Sequence, residues 1–274
     1  TAGQEKPTRE EYLSYLRSVA ATHELDVRTF HEVQRIERED DCIRVGLEAR
    51  SGLQLDLEAS SLVIATGGTG KVRRLGIPGE DLPHVRHDLG DPHQYHGRRV
   101  LVVGGRNSAC EAALRCWRAG ATVHLSYRGE DLHERVKYWI RPELAALIEE
   151  ERVHAHFQTN LVEVTPDTAI LQGPAETRLR TDDILLMIGY EHDSTILEKA
   201  GVNILPGQGE PEFNDTTMET NMPGIYVAGT ATAGTQERFR VFIENCHVHA
   251  QRITASITGS SPPRAPGDRR LEEN

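Results

Sequence analysis

Apolar and polar positions follow two different periods along this chain. Between residues 7 and 24, Tyr12, Leu13, Tyr15, Leu16 and Val19 recur with helical spacing, and Pro7-Thr8-x-x-Glu11 carries the Thr and Glu of a capping box. Strand-like segments follow near 26–28, 32–38, 42–49 and 53–57. There Val33 and Ile36, with Ile43, Val45 and Leu47, predict an antiparallel meander. Shorter and more continuously apolar runs stand at 61–64, 100–103, 121–125, 184–188 and 225–227. Such runs, bounded by glycine, suit strands covered on both faces. Residues 71–97, rich in Pro, Gly, His and Asp, read as an irregular crossover, and 142–151 as a helix. Several strands are expected within 153–188, then a strand at 222–230 and a closing helix over 238–257. The Pro-containing end, 259–274, reads as a disordered tail.

The stretch from Val100 to Gly129 carries the chemistry. Val100-Leu101-Val102-Val103 meets Gly104-Gly105-Arg106-Asn107-Ser108-Ala109, a small-residue-rich helical pattern follows, and a second strand pattern ends in Ser126-Tyr127-Arg128-Gly129. Strand, glycine turn, helix and strand within about thirty residues is the layout of a dinucleotide-binding βαβ unit. Gly104 allows the sharp turn. The amides of Gly105, Arg106, Asn107 and Ser108 then point outward at a helix N-terminus suited to a pyrophosphate. Arg106 stands where such turns usually have a second glycine, so its side chain has to point away and add positive charge. No carboxylate sits at the tip of the second strand. Arg128, with Arg135 and Lys137 close behind, can pair with a ribose 2′-phosphate, which favours NADPH over NADH. The alternative is a solvated face neutralised by Glu130, Asp131 and Glu134.

The 274 residues are 38% hydrophobic, enough for one large or two medium cores. Acids outnumber bases 42 to 31, for a net charge of -11, which argues against nucleic acid or an anionic membrane as partner. No apolar run approaches the ~20 residues of a membrane span. Cys42, Cys110, Cys116 and Cys246 form no C-x-x-C pair, as expected of a reducing cytoplasmic setting, and Cys110 and Cys116 read as buried packing residues. His84, His87, His93 and His96 lie in a proline-interrupted loop without Cys or Glu partners, so no metal centre is expected. His247 and His249 are two apart on the closing helix and face different directions.

Ile64-Ala65-Thr66-Gly67, Val103-Gly104-Gly105, Ile188-Gly189 and Ile225-Tyr226-Val227-Ala228-Gly229 together resemble a flavoprotein with two dinucleotide sites, of the thioredoxin-reductase-like branch. Lys6-Pro7-Thr8-Arg9, Gly105-Arg106-Asn107-Ser108-Ala109, Val136-Lys137-Tyr138-Trp139-Ile140-Arg141-Pro142, Thr217-Met218-Glu219-Thr220-Asn221 and Phe242-Ile243-Glu244-Asn245 resemble, more closely, the bacillithiol-disulfide-reductase-like family. That family is similar in having Arg or Lys at the position of Arg106.

The resemblance implies an α/β fold with two nested Rossmann-like domains, a split FAD domain with an inserted NADPH domain. The implied ranges are 1–97 and 215–258 for the outer domain and 98–214 for the inner one. It implies that Val33, Ala65, Thr66, Gly67, Gly229, Thr230, Arg238 and Phe239 line FAD, that Ile188 and Gly189 lie between the cofactors, and that Gly104, Gly105, Arg106, Asn107, Ser108, Tyr127, Arg128, Arg135 and Lys137 hold NADPH. Arg238 and Phe239 would present a helix N-terminus to the flavin. The implied activity is an FAD-dependent oxidoreductase passing hydride from NADPH to a disulfide or low-molecular-weight thiol disulfide, in a cytoplasmic homodimer. A ferredoxin/flavodoxin–NADP reductase and a non-catalytic NADPH-binding module are the alternatives.

Two departures stand out. The family's own FAD glycine fingerprint, with its proposed redox cysteine, has no counterpart here, so the chain reads as an N-terminally incomplete copy and no catalytic residue is assigned. The wider superfamily's Gly-Asp pair is Gly229-Thr230, which leaves a hydroxyl where a carboxylate stands elsewhere. The segment that carries C-x-x-C in thioredoxin reductases corresponds to residues 85–97, which contain no cysteine.

Overall fold

The structure is a computed structural model that describes residues 8–39, 42–236, 240–243 and 245–261. In chain order it has α1 (Arg9–Thr22), β1 (His31–Arg38), β2 (Ile43–Ala49), β3 (Gln54–Ala59), β4 (Leu62–Ile64), β5 (Lys71–Val72), β6 (Val85–Arg86) and β7 (Arg99–Val103). There follow α2 (Asn107–Arg118), β8 (Thr122–Tyr127), α3 (Arg141–Glu149), β9 (Val153–Phe157), β10 (Asn160–Val164), β11 (Thr168–Gln172), β12 (Glu176–Arg180) and β13 (Asp183–Leu186). Last come β14 (Tyr190–Glu191), α4 (Thr195–Lys199), β15 (Ile225–Val227) and α5 (His247–Thr258).

A parallel five-stranded sheet of order β6-β13-β7-β8-β9 forms the inner unit. β7 and β13 read as almost unbroken apolar runs because both their faces are covered. Val100, Val102, Val123, Leu125 and Leu185 pack on Ala109, Ala113 and Cys116 of α2 and Leu144 and Leu147 of α3. From the other face, Leu101, Val103, Ile184 and Leu186 meet Leu161, Ala169 and Leu171 of the β10-β11-β12 meander. Alternation along one strand thus fills two cores.

The outer unit closes around this insertion. Leu62, Val63 and Ile64 of β4 pair in parallel with Ile225, Tyr226 and Val227 of β15, from opposite ends of the chain. Ile36, Ile43, Val45 and Leu47 of the β1-β2-β3 meander pack on that pair together with Leu197, Ala200 and Val202. The two units are joined by the antiparallel β5–β14 ladder, flanked by ion pairs Lys71–Asp193 at 3.1 Å and Arg73–Glu191 at 3.8 Å. Gly70 is required beside it, since a Cβ there would lie 2.4 Å from the Asp193 Cβ. Core membership puts Val85 with the inner sheet and α4 with the outer core. Along the chain the outer core is left between Ile64 and Ile77 and rejoined between Ile188 and Ile196.

The capping box forms at the start of α1, where Thr8 Oγ1 accepts from the Glu11 amide at 3.2 Å and Glu11 Oε2 accepts from the Thr8 amide at 2.8 Å. The apolar stripe of α1 is nonetheless uncovered: none of its residues is buried. Three expectations need correction. No strand forms at 26–28, where Arg28 and Asp26 simply pair with each other at 2.8 Å. The segment 71–97 is not wholly irregular, because β5 and β6 find partners in β14 and β13. The closing helix α5 begins at His247, and the described residues 240–243 before it are not helical, because side chains bind their amides. Gln236 Oε1 accepts from Arg240 and Val241, and Asn245 Oδ1 accepts from Phe242. The expected disordered tail lies, from residue 262 on, outside the described residues.

His124 of β8 and His154 and His156 of β9 share the sheet face opposite α2 and α3. His124 Nδ1 lies 3.0 Å from His156 Nε2, and the His154 ring is 4.9 Å from that of His124. Burial, and then the neighbouring rings, push the His124 imidazole down to about 4, and burial lowers His156 as well. An unfolded histidine titrates near about 6.5, so the unfolded chain binds more protons than the folded one between those values. Stability is therefore full above about pH 6.5 and falls as the pH drops toward about 4. We expect a lower Tm at about pH 5 than at about pH 7.5, by roughly 2–4 °C per kcal/mol of this linkage, and a smaller difference in His124→Gln. An undiminished pH dependence in that variant, measured by calorimetry, would show that the ladder does not control it.

Candidate active site

The turn from β7 into α2 is built by two glycines with separate tasks. Gly104 has φ +135°, and a Cβ there would meet the Met187 carbonyl oxygen at 2.5 Å and Ala109 Cβ at 3.0 Å. Its amide donates to the Ser126 carbonyl at 2.9 Å, so the turn, β8 and the end of β13 converge. A Cβ on Gly105 would lie 2.3 Å from Tyr127 Cγ, and one on Gly129 2.4 Å from Tyr127 Cε1. The Tyr127 ring is thus seated against both backbones. Arg106 is the residue before α2, with φ -105° and ψ -176° and no side-chain cap. The opening amides of α2 have no acceptor within the helix, and the helix dipole adds positive potential there.

The loop after β8 is fastened across this turn. Asn107 Oδ1 accepts from the Lys137 amide at 2.8 Å, and the His133 amide donates to the Gly105 carbonyl at 3.2 Å. Asn107 therefore holds the loop with its side chain, leaving its amide for a ligand. The acids that could neutralise the basic face are largely committed elsewhere. Asp131 pairs with Arg141 at 2.8 Å, Glu130 accepts from Gln158 at 3.4 Å, and Glu134 sits 4.0 Å from Arg135 with both side chains mostly exposed. Lys137 lies over the Trp139 ring at 4.9 Å. Arg106 and Arg128 are exposed and have no ion-pair partner among the described residues. The structure thus brings Gly104, Gly105, Arg106, Asn107, Ser108, Tyr127 and Arg128 together, with Arg135 and Lys137 on the covering loop.

A second pair of turns leaves the C-terminal ends of β4 and β15, the edge at which open α/β sheets bind ligands. The Ala228 amide donates to the Ile64 carbonyl at 2.9 Å, aligning the turn Ala65-Thr66-Gly67-Gly68 with Gly229-Thr230. Gly67 (φ +81°) and Gly229 (φ +68°) adopt left-handed backbone, and a Cβ on Gly68 would lie 3.2 Å from the Thr230 carbonyl. Ala65 and Thr66 are exposed at this edge. Val33 lies apart, half-buried against the outer core, with its carbonyl accepting from Lys199 Nζ at 3.4 Å. Ile188 packs on the inner core, and the Gly189 carbonyl accepts from the Arg73 amide at 3.2 Å, beside the inter-unit ladder. Arg238 and Phe239 lie outside the described residues.

Of the two closing-helix histidines, one meets the second glycine edge. His249 is buried, and its Nδ1 accepts from the Gly229 amide at 3.1 Å. Burial lowers its pKa, consistent with a neutral ring holding that turn. The loop histidines separate: His96 Nδ1 lies 2.8 Å from the Ala119 carbonyl, while His87 Nε2 is 3.9 Å from the buried Glu80 carboxylate. Glu80 itself accepts from the Leu75 and Gly76 amides, shaping the crossover. Among the described residues no group of three or more His, Cys, Asp or Glu side chains is placed to hold a metal ion. Also among them, no helix is long and apolar enough to cross a membrane.

A glycine turn on a parallel sheet, set within a second unit that has its own glycine edge, defines a dinucleotide-dependent α/β protein of the thioredoxin-reductase-like fold. Residues 1–229 match the pyridine nucleotide-disulphide oxidoreductase family model, and the chain belongs to that family. Within it the resemblance to bacillithiol-disulfide-reductase-like proteins holds. Bacilliredoxin reductase Bdr of Bacillus subtilis (strain 168) is 38% identical over 197 residues, 71% of this chain and 60% of that protein. The solved Bacillithiol Disulfide Reductase Bdr (YpdA) from Bacillus cereus superposes with a TM-score of 0.88 at 32% identity, covering 94% of this chain and 80% of that one. A ferredoxin–NADP reductase of Ignicoccus hospitalis (strain KIN4/I / DSM 18386 / JCM 14125) is 30% identical over 71% of this chain and 62% of its own length. The chain thus spans about three-fifths of these two sequence relatives.

Two outcomes test the site's construction. Gly104→Ala combines left-handed strain with a close contact to the Met187 carbonyl, and should destabilise the protein by at least about 1–3 kcal/mol in urea titration. An unchanged midpoint would mean that the turn relaxes freely. Burial pushes Cys110 and Cys116 up to about 12, so at neutral pH only Cys246 and, more slowly because burial and Glu39 raise its thiol, Cys42 should react with an aromatic disulfide reagent. Rapid titration of all four thiols in the native protein would contradict the buried, protonated state of the two helix cysteines.

Proposed function

We propose that this protein is an FAD- and NADPH-dependent oxidoreductase that reduces a disulfide or low-molecular-weight thiol disulfide. The observation that carries the NADPH part is the unneutralised Arg106–Arg128 face beside the N-terminus of α2, whose first amides have no acceptor within the helix. The turn Gly104-Gly105, the α2 amides and Arg106 would hold the pyrophosphate. Arg128, with Arg135 and Lys137, would pair with the 2′-phosphate, and the Tyr127 ring, pinned between Gly105 and Gly129, would flank the nucleotide.

The residues at the β4–β15 edge fit a second dinucleotide. The two left-handed glycines and the contact between Gly68 and Thr230 leave a backbone-lined cradle that side chains would fill. Thr66, Gly67, Gly229 and Thr230 would hold FAD there, with the Thr230 hydroxyl as a neutral hydrogen-bonding group and Ala65 and the Val33 backbone at its flank. FAD, when bound, supplies the two-electron exchange between NADPH and a disulfide. The protein's part is to hold the two nucleotides on either side of Ile188 and Gly189 and to exclude water from between them. We assign the outer unit to FAD and the inner sheet to NADPH, with the β5–β14 ladder as the boundary. A dimer in the cytoplasm, acting on a small disulfide or a redox protein, completes this reading.

The relatives support the substrate class, since their names read bacilliredoxin reductase and bacillithiol disulfide reductase. A second reading, transfer to an electron-carrier protein, is favoured by one observation: two of the four cysteines are sealed in a core and none stands in the segment 85–97. Screening thiol disulfides against ferredoxin and flavodoxin acceptors separates the two.

Arg128→Glu tests the nucleotide assignment. Loss of a charge-assisted hydrogen bond is worth roughly 1.5–3 kcal/mol, so NADPH should bind about 10- to 150-fold more weakly while NADH changes little. Calorimetric titration of both nucleotides decides it, and equal losses would remove Arg128 from 2′-phosphate recognition.

A further inference from the structure

His133 belongs to no motif, yet the fold locks it onto the nucleotide turn. Its amide donates to the Gly105 carbonyl at 3.2 Å, and the Arg135 amide donates to its Nδ1 at 3.1 Å. The second bond sets the tautomer. An Nδ1 that accepts an amide hydrogen carries the lone pair, so the proton of the neutral ring sits on Nε2. Burial, followed by the Arg106 guanidinium, lowers the pKa of His133, Glu134 opposing and Arg135 reinforcing the effect, so the ring is neutral at physiological pH. The ring is half-buried, no carboxylate lies within ion-pair distance of it, and Nε2 has no hydrogen-bond partner among the described residues. A fixed N–H donor thus stands beside Arg106 on the loop that Asn107 and Gly105 tie across the turn.

We propose that His133 donates from Nε2–H to a phosphate of the bound dinucleotide, as a neutral, orientation-fixed donor that complements the mobile charges of Arg106 and Arg128. This rests on the nucleotide reading above. It adds a residue to that site and a distinct chemical role, since the imidazole contributes direction where the guanidinium groups contribute charge.

The test uses three variants that divide the two ring nitrogens. Asn places an acceptor where Nδ1 sits and keeps the hook on the Arg135 amide, but has no donor at the Nε2 position. Gln carries its amide nitrogen out to the Nε2 position. Ala removes both. Calorimetric titration of the full chain with NADPH, NADH and 2′,5′-ADP is the readout, with the Arg128→Glu protein alongside. We expect His133→Ala and His133→Asn to bind NADPH about tenfold or more weakly, and His133→Gln to stay within about threefold of the native protein. Losses for NADPH and 2′,5′-ADP but not NADH place the contact at the 2′-phosphate, and equal losses for NADPH and NADH place it at the pyrophosphate. Native-like binding by His133→Asn, or a Gln variant as weak as the Ala variant, overturns the proposal. If Arg128→Glu weakens NADPH while every His133 variant binds normally, His133 alone is excluded. If the native chain binds none of the three probes, the nucleotide reading fails and His133 with it.

Discussion

The parallel pairing of β4 with β15 is the contact on which the rest of the architecture depends. Three residues near the start of the chain lie beside three near its end, with the whole inner unit looped out between them. Closing so long a loop costs conformational entropy that three ladder positions cannot offset. The compensation comes from burial: Ile64, Ile225 and Val227 share one core with Ile43, Val45 and Leu47 of the meander and with Leu197 of α4. Once that pair is formed, the turns after Ile64 and after Val227 leave the same edge side by side, and the Gly67–Thr230 cradle exists. Without it, Thr66-Gly67 and Gly229-Thr230 are two unrelated loops.

The inner unit follows a more local logic. Its sheet, its glycine turn and α2 come from one contiguous stretch, and their mutual fit is set by sterics at a few atoms. Gly104 admits the Met187 carbonyl, and Gly105 and Gly129 admit the Tyr127 ring. The same close packing brings the turn directly onto the N-terminus of α2, whose first amides have no acceptor within the helix. Charge is then supplied from outside by Arg106 and Arg128, whose potential acids, Asp131 and Glu130, are occupied by Arg141 and Gln158. Binding capacity and fold thus share one cause. A turn too tight for side chains is a turn that offers amides to an anion.

The β5–β14 ladder links the two units through two residue pairs and two partly exposed ion pairs. Exposed pairs of this kind contribute little to stability, typically about 0–1 kcal/mol each. The ladder's role is geometric: it lies where the chain leaves one core for the other, and beside it the Arg73 amide donates to the Gly189 carbonyl.

Residue pattern alone determined much of this. The apolar run before Gly104-Gly105, the small residues after it and the basic strand tip at Arg128 specify a dinucleotide unit, because a tight turn, a helix N-terminus and a positive charge are local properties. The Thr8–Glu11 capping box and the β1–β2–β3 meander are local in the same sense. What the pattern left undecided depended on partners distant in the chain. β6 is a strand only because β13 lies beside it, and α4 belongs to the outer core only because β4 and β15 expose Ile64 and Ile225 to Leu197. Ahead of α5, the side chains of Gln236 and Asn245 take the Val241 and Phe242 amides, a claim that the apolar pattern does not encode. His133 and His249 gained their positions from hydrogen bonds to the Gly105 carbonyl and the Gly229 amide, which no spacing encodes. Local sterics and capping are written in short stretches of residues. Which backbone groups remain free to meet a ligand is decided only when distant segments have claimed the others.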